Sequence, residues 1–156
     1  MKNIKKGTLL CLIASILSIA TIFLWSGKSY VVYYVASGQE IKETYSVFSM
    51  ILGNSILDAS TLFFVGGIIL SIVALNRAVS GYLNNKNNTL LCSSFLSVNI
   101  ISAYLLYLNR DYVAYKMNIP VSIGIELNLL ILQIILISSF ILSIVGTILA
   151  HKQIKE

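Results

Sequence analysis

Residues Leu127–Ala150 read LNLLILQIILISSFILSIVGTILA, a run of 24 residues without a charged side chain. A helix of roughly 20 apolar residues crosses the ~30 Å hydrocarbon core of a bilayer. The run therefore predicts a membrane-spanning helix. Three shorter apolar runs precede it, so the sequence predicts four spans. We place them at about residues 8–25, 59–75, 89–108 and 123–150.

The composition indicates the same class of protein. Of the 156 residues, 57% are hydrophobic and 11% are charged, whereas soluble domains carry about 25% charged residues. Four spans and their connections use the whole length, which leaves no room for a separate soluble domain. We expect an all-α membrane protein forming one domain, a bundle of four helices. The richness in Ile, Leu, Asn, Lys and Tyr resembles the product of an AT-rich bacterial genome.

The distribution of charge predicts the orientation. If both termini and the connection 76–88 share one side, that side holds seven basic residues against one acid. The other side, with connections 26–58 and 109–122, holds four basic and five acidic residues. Basic residues accumulate in short cytoplasmic loops, so we expect cytoplasmic termini in the cell membrane. The same bias explains the net charge of +5 without nucleic-acid binding.

The first outer connection, 26–58, has the pattern of a β-hairpin. Residues Tyr30–Val35 are β-branched and aromatic, which is typical of strands, and Ser37–Glu40 is typical of a turn. Residues 41–52 fit either a second strand or an amphipathic helix. Residues Ser55–Asp58 match the pattern of a capping box, a motif that begins helices, and they precede span two. Asp58 would compensate the dipole of that helix.

Tyrosines are concentrated on the predicted outer side. Tyrosine is enriched where a membrane meets water, but it also supplies rigid contact area in protein interfaces. The first interpretation is an aromatic belt and the second is a partner-binding surface. The candidates for partner binding are Tyr30, Tyr33, Tyr34, Tyr45, Tyr112 and Tyr115.

Three polar residues lie within or beside the predicted spans. Asn99 and Gln133 fall near the middle of spans three and four, where an amide needs a partner. They could bond within the bundle as structural links, for example to each other, or line a conduction path. Glu126 lies seven residues before Gln133. It fits either helix-dipole compensation or an entrance that attracts cations.

Small residues at a spacing of four predict close helix contacts. Gly67 and Ser71 form one such pair in span two. Ser139, Ser143 and Thr147 form a stripe on span four, either inside the bundle or between protomers.

No pattern in the sequence indicates catalysis, a cofactor or a metal site. His151 is the only histidine, and Cys11 and Cys92 are the only cysteines. Both cysteines fall inside predicted spans, so we expect small apolar residues in lipid or packing contacts and no disulfide framework. The layout resembles that of claudin-like tetraspan proteins, but the first outer connection lacks their loop tryptophan and cysteine pair. We therefore assign no family.

These features favour a non-enzymatic accessory or binding protein of the membrane. It would dock a protein or peptide, or a further copy of itself, through its helices and its tyrosine-rich outer surface. Such a protein could be a subunit of a transport or secretion assembly, or could protect its producer from a membrane-active toxin. The alternative is a homo-oligomeric channel or a small transporter component.

Overall fold

The structure is a computed structural model that describes the backbone of residues 2–49, 59–117 and 122–152. Side chains are described for residues 4–49, 62–108 and 122–152. Asp58 and the capping box before span two lie outside the described residues. The elements, in chain order, are α1 (Lys2–Ala20), a 3-10 helix (Thr21–Leu24), β1 (Lys28–Ala36), β2 (Gln39–Ser46), α2 (Ala59–Asn84), α3 (Thr89–Leu96), α4 (Val98–Met117), β3 (Ser122–Ile125) and α5 (Leu127–His151).

Within the described residues, four helical segments are long and apolar enough to cross a membrane. They are Ile4–Leu24, Leu62–Asn84, Thr89–Leu108 and Leu127–His151, with 20 to 25 residues each. At a rise of 1.5 Å per residue, such segments are about 30 Å long or longer. The chain is thus mostly helical, with four candidate spans, as the apolar runs predict.

The second span is longer than predicted. α2 continues through Arg77 to Asn84, so most of the connection predicted at 76–88 is helical. Asn85 then adopts a left-handed conformation with φ 53°, and the Lys86 N–H donates to the Gly81 carbonyl at 3.0 Å. This 6→1 bond is the Schellman arrangement that ends helices. Hydropathy marks where the apolar run stops, whereas this turn marks where the helix stops.

The third span is interrupted, which the sequence did not predict. α3 ends at Leu96 and α4 begins at Val98, with a turn at Ser97. α4 then extends to Met117, so residues 109–117 are helical rather than part of an outer loop. A helix that emerges from the apolar layer can continue because its backbone hydrogen bonds are internal.

The fourth span begins later than predicted. Residues 123–125 belong to β3, and Ile123 pairs with Val32 of β1. Glu126 is extended, with φ −83° and ψ 157°, and forms the N-cap of α5. Its N–H donates to the Ser29 carbonyl at 3.0 Å. Since this segment is held by pairing to β1, the helix starts at Leu127.

The predicted hairpin is present and has a third strand. β1 pairs antiparallel with β2 on one side and with β3 on the other, in the order β2-β1-β3. Ser37 and Gly38 both have positive φ, 54° and 79°, as the type I′ two-residue hairpin turn requires. Residues 41–46 are strand and 47–49 are helical, which resolves this part of the ambiguous segment 41–52.

The bundle packs in layers along its length. α1 contacts α5, α2 and α3, while α4 contacts α5 and α2. Beneath the sheet lies a core of large side chains that includes Trp25, Tyr30 and Leu132. The opposite end of the bundle, where α1 begins and α5 ends, is called the terminal end. Its core is formed mainly by small residues that include Cys11 and Ala74. The end that carries the strands is called the sheet end.

Candidate functional site

A layer of buried polar side chains separates these two apolar cores. Asn99 is 1% exposed and bonds to two other helices. The Ser18 hydroxyl donates to Asn99 Oδ1 at 3.1 Å, and Asn99 Nδ2 donates to Ser139 Oγ at 2.7 Å. Ser71 Oγ lies 2.7 Å from Ser18 Oγ. Asn99 thus joins spans one, three and four, and Ser71 adds span two.

Gln133 is not part of this layer. Its side-chain N–H donates to the backbone carbonyl of Ala103 at 3.0 Å, so Gln133 bonds within the bundle to a backbone group rather than to Asn99. Gln133 lies six residues before Ser139 on α5, which is about 9 Å at 1.5 Å per residue. The two amides therefore occupy different levels of the bundle, although each bonds within it.

The small-residue stripe of α5 faces the interior of the bundle. Ser139 and Ser143 are fully buried, and the Thr147 hydroxyl lies 3.0 Å from the carbonyl of Thr89 and 2.9 Å from that of Ser143. A Cβ added at Gly67 of α2 would lie 3.4 Å from Ser102 Oγ. These small residues therefore sit at contacts between helices of one chain.

The cysteines also lie inside the bundle. Cys11 and Cys92 are free thiols and fully buried. Cys11 Sγ lies 3.7 Å from the carbonyl of Ser143, and Cys92 Sγ lies 3.4 Å from that of Ala74. Among the described residues, no group of three or more His, Cys, Asp or Glu side chains is arranged to hold a metal ion.

Glu126 directly precedes the helix that carries Gln133. It is the extended N-cap of α5, and its side chain makes no capping bond to the first turn. The carboxylate expected at the helix N-terminus is therefore present without a hydrogen-bonded cap.

Tyr30 is a core residue, which corrects its place among the partner-binding candidates. It is 0% exposed, and its hydroxyl donates to the Leu106 carbonyl at 2.7 Å. Burial raises the pKa of this phenol well above its ordinary value. Tyr30 therefore fastens the sheet to α4 and offers no surface to a partner.

Tyr34 and Tyr45 share one carboxylate. The Tyr34 hydroxyl donates to Glu43 Oε1 at 2.7 Å, and the Tyr45 hydroxyl donates to Glu43 Oε2. The bond to Tyr45, followed by that to Tyr34, lowers the pKa of Glu43. The bond to Glu43 raises the pKa of Tyr45 to about 12 and raises that of Tyr34. The hydroxyls of Tyr34 and Tyr45 are therefore hydrogen-bonded within the hairpin.

Tyr33 lies on the opposite face of the sheet from Tyr30, as strand alternation requires. Its ring is 45% exposed, and Lys42 Nζ lies 5.6 Å from the ring centre. A Cβ added at Gly124 of β3 would meet the Tyr33 ring at 3.8 Å. Val35, two residues along the same face, is 65% exposed. The side chains of Tyr112 and Tyr115 lie outside the described residues.

No protein-family model, curated protein or solved structure matches this chain.

Proposed function

We propose that this chain is a small integral membrane binding protein that docks a protein or peptide through the exposed face of its sheet. The observation that carries the proposal is the surface formed by Tyr33, Val35 and Lys42. It lies on a sheet that is fastened to a helical bundle. Exposed aromatic and apolar side chains beside a cation are typical of the residues that anchor protein interfaces.

Contacts at the base of the sheet support a rigid presentation of this surface. Tyr30 bonds to α4, and Glu126 bonds through its N–H to Ser29 just before α5 begins. The Asn128 amide of α5 donates to the Ser29 hydroxyl of β1 at 3.0 Å. Since the sheet is fixed at several points, a partner would bind it with little ordering cost.

The polar residues inside the bundle favour a structural role over a path for ions or solutes. Asn99, Ser18, Ser71 and Ser139 are at most 1% exposed, and each makes a hydrogen bond to another of them. Side chains that line a conduction path would instead present their polar groups to water or ions. A conduction path through the interior of a single chain is therefore the weaker candidate, and a pore between several copies is the alternative.

The charge pattern supports an orientation with the sheet outside the cell. Among the described side chains, the basic residues of the terminal end are Lys5, Lys6, Arg77, Lys86 and Lys152. The sheet end carries two described basic residues, Lys28 and Lys42, with Glu40, Glu43 and Glu126. We propose cytoplasmic termini on this bias, so the partner would be extracellular or a membrane protein with an extracellular part. A transport or secretion assembly and a membrane-active toxin both provide such partners.

Photo-crosslinking in the protein's own membranes tests the proposal. A photoreactive phenylalanine at Tyr33 should yield one discrete crosslinked band containing a second protein. The matched control is the same replacement at Tyr104, which is 61% exposed but lies within a candidate span. A band from Tyr104 with none from Tyr33 would place the interface on the helices, and crosslinks between copies alone would favour the homo-oligomer.

A further inference from the structure

A small cavity adjoins the polar layer at the centre of the bundle. Its volume is about 10 Å³, close to the roughly 10–15 Å³ that one water molecule requires. Its polar lining comes from four residues, and its apolar walls include Trp25, Phe64 and Leu136. The four polar residues are Ser18, Thr21, Asn99 and Ser102.

Asn99 has more hydrogen-bonding capacity than its described protein partners use. A side-chain amide offers two N–H donors. Asn99 Nδ2 makes one described bond, to Ser139. The second N–H has no acceptor among the described residues, although Asn99 is 1% exposed. An unsatisfied donor in such a place would cost about 1–3 kcal/mol.

Two hydroxyl oxygens on the cavity wall retain accepting capacity. Thr21 uses its proton to donate to the Ser18 carbonyl at 2.6 Å. Ser102 donates to the Phe63 carbonyl at 3.4 Å. Each oxygen still carries lone pairs. Together with the Asn99 N–H, these oxygens offer three partners, the usual number for a buried water.

The backbone is irregular on two sides of this cavity. α1 changes to a 3-10 helix at Thr21, and the third span turns at Ser97, two residues before Asn99. Irregular helical backbone inside a membrane occurs where side chains or ordered water satisfy the freed groups. Thr21 itself lines the cavity, and Ser97 lies two residues before Asn99, which also lines it.

We infer that one ordered water molecule occupies this cavity, accepting from Asn99 and donating to Thr21 and Ser102. The site is a water site rather than a cation site, because an N–H group that needs an acceptor would repel a cation. Bound water thus completes the polar layer that joins the four spans. This inference is independent of the proposed docking function.

The two adjacent glycines of α2 provide the test. Gly67 lines the cavity, and a Cβ there would meet Ser102 Oγ at 3.4 Å and Val98 Cγ1 at 3.7 Å. A Cβ at Gly66 would meet nothing within 4 Å. Gly67→Ala should therefore occupy the water's space, whereas Gly66→Ala makes the same chemical change outside the cavity.

Water-edited solid-state NMR in lipid bilayers measures the transfer of magnetisation from water protons to the side-chain nitrogen of Asn99. We expect a strong signal in the wild-type protein and in Gly66→Ala, and its loss in Gly67→Ala. An experimental structure should show a density peak about 2.7–3.2 Å from Asn99 Nδ2. No signal and no peak in the wild-type protein would overturn the inference, as would an unchanged signal in Gly67→Ala. The wild-type measurement decides the matter even if Gly67→Ala fails to fold.

Discussion

At the scale of single residues, Asn99 joins three of the four spans through its side chain. Replacement by Leu removes its bonds to Ser18 and Ser139. Buried hydrogen bonds in membranes contribute roughly 0.6–2 kcal/mol each, so we expect Asn99→Leu to lower the free energy of unfolding by about 1–3 kcal/mol. Titration with a denaturing detergent in mixed micelles measures this change.

Gln133→Leu is the matched control for Asn99→Leu. Gln133 is half-buried and makes one described hydrogen bond, to the Ala103 carbonyl. We expect a loss below about 1 kcal/mol. A larger loss from Gln133→Leu than from Asn99→Leu would contradict the assignment of the polar layer to Asn99.

Glu43 controls the ionisation of two tyrosines on the sheet. Because its bond to Tyr45 raises that phenol's pKa to about 12, Glu43→Gln should return the Tyr45 pKa towards its ordinary value of 10.0. NMR titration of ¹³Cζ-labelled tyrosine measures this midpoint directly. An unchanged Tyr45 midpoint would show that the bond to Glu43 is absent in solution.

The same contact sets the pH range in which the hairpin is most stable. The pKa of Glu43 is lowered in the folded state, so its contribution is lost as the pH falls through that folded pKa. The pKa of Tyr45 is raised, so its contribution is lost as the pH rises from 10.0 towards 12. We expect hydrogen exchange of the β1 and β2 amides, corrected for intrinsic rates, to show greatest protection between these limits. Equal protection across the whole range would contradict this.

At the scale of elements, two helices approach closely at Gly146 of α5 and Gly7 of α1. A Cβ at Gly146 would lie 2.6 Å from the Gly7 carbonyl oxygen, so the helices must separate to admit it. We expect Gly146→Ala to destabilise the bundle by about 1–3 kcal/mol. Gly66→Ala, which meets nothing within 4 Å, should be neutral or stabilise by up to about 1 kcal/mol. Equal effects in detergent unfolding would contradict this close contact.

The sequence predicts the existence of the elements better than their ends. Uncharged runs such as Leu127–Ala150 predict a spanning helix because a bilayer accepts little else. The end of α2 depends on the left-handed Asn85, and the start of α5 depends on pairing between Ile123 and Val32. Such contacts are local turn geometry or join distant parts of the chain, so hydropathy does not contain them.

The candidate site was predictable only in part, because the partners of a buried polar side chain depend on contacts between distant parts of the chain. An amide at mid-span needs a partner, and this rule identified Asn99 and Gln133. Which partner each finds depends on the relative heights of the helices, and these follow from the packing. Strand alternation places Tyr33 and Tyr30 on opposite faces of the sheet. The hydrogen bond from the Tyr30 hydroxyl to the Leu106 carbonyl shows that the face with Tyr30 covers the bundle.

At the scale of the whole molecule, the orientation can be tested with engineered thiols. Cys11 and Cys92 are fully buried, so a membrane-impermeant maleimide should leave the wild-type protein unlabelled. On intact cells we expect labelling of Gln39→Cys, at the hairpin turn, and no labelling of Asn84→Cys until the cells are permeabilised. The reverse pattern would invert the orientation and place the sheet in the cytoplasm.

Docking through the sheet is tested most directly by the native mass of the protein after mild extraction from its own membranes. We expect a stoichiometric complex with a second protein. Tyr33→Ala should release that protein, whereas Tyr104→Ala should retain it, with both variants folded. A homo-oligomer of unchanged mass in all three proteins would contradict docking through the sheet and would favour an assembled channel.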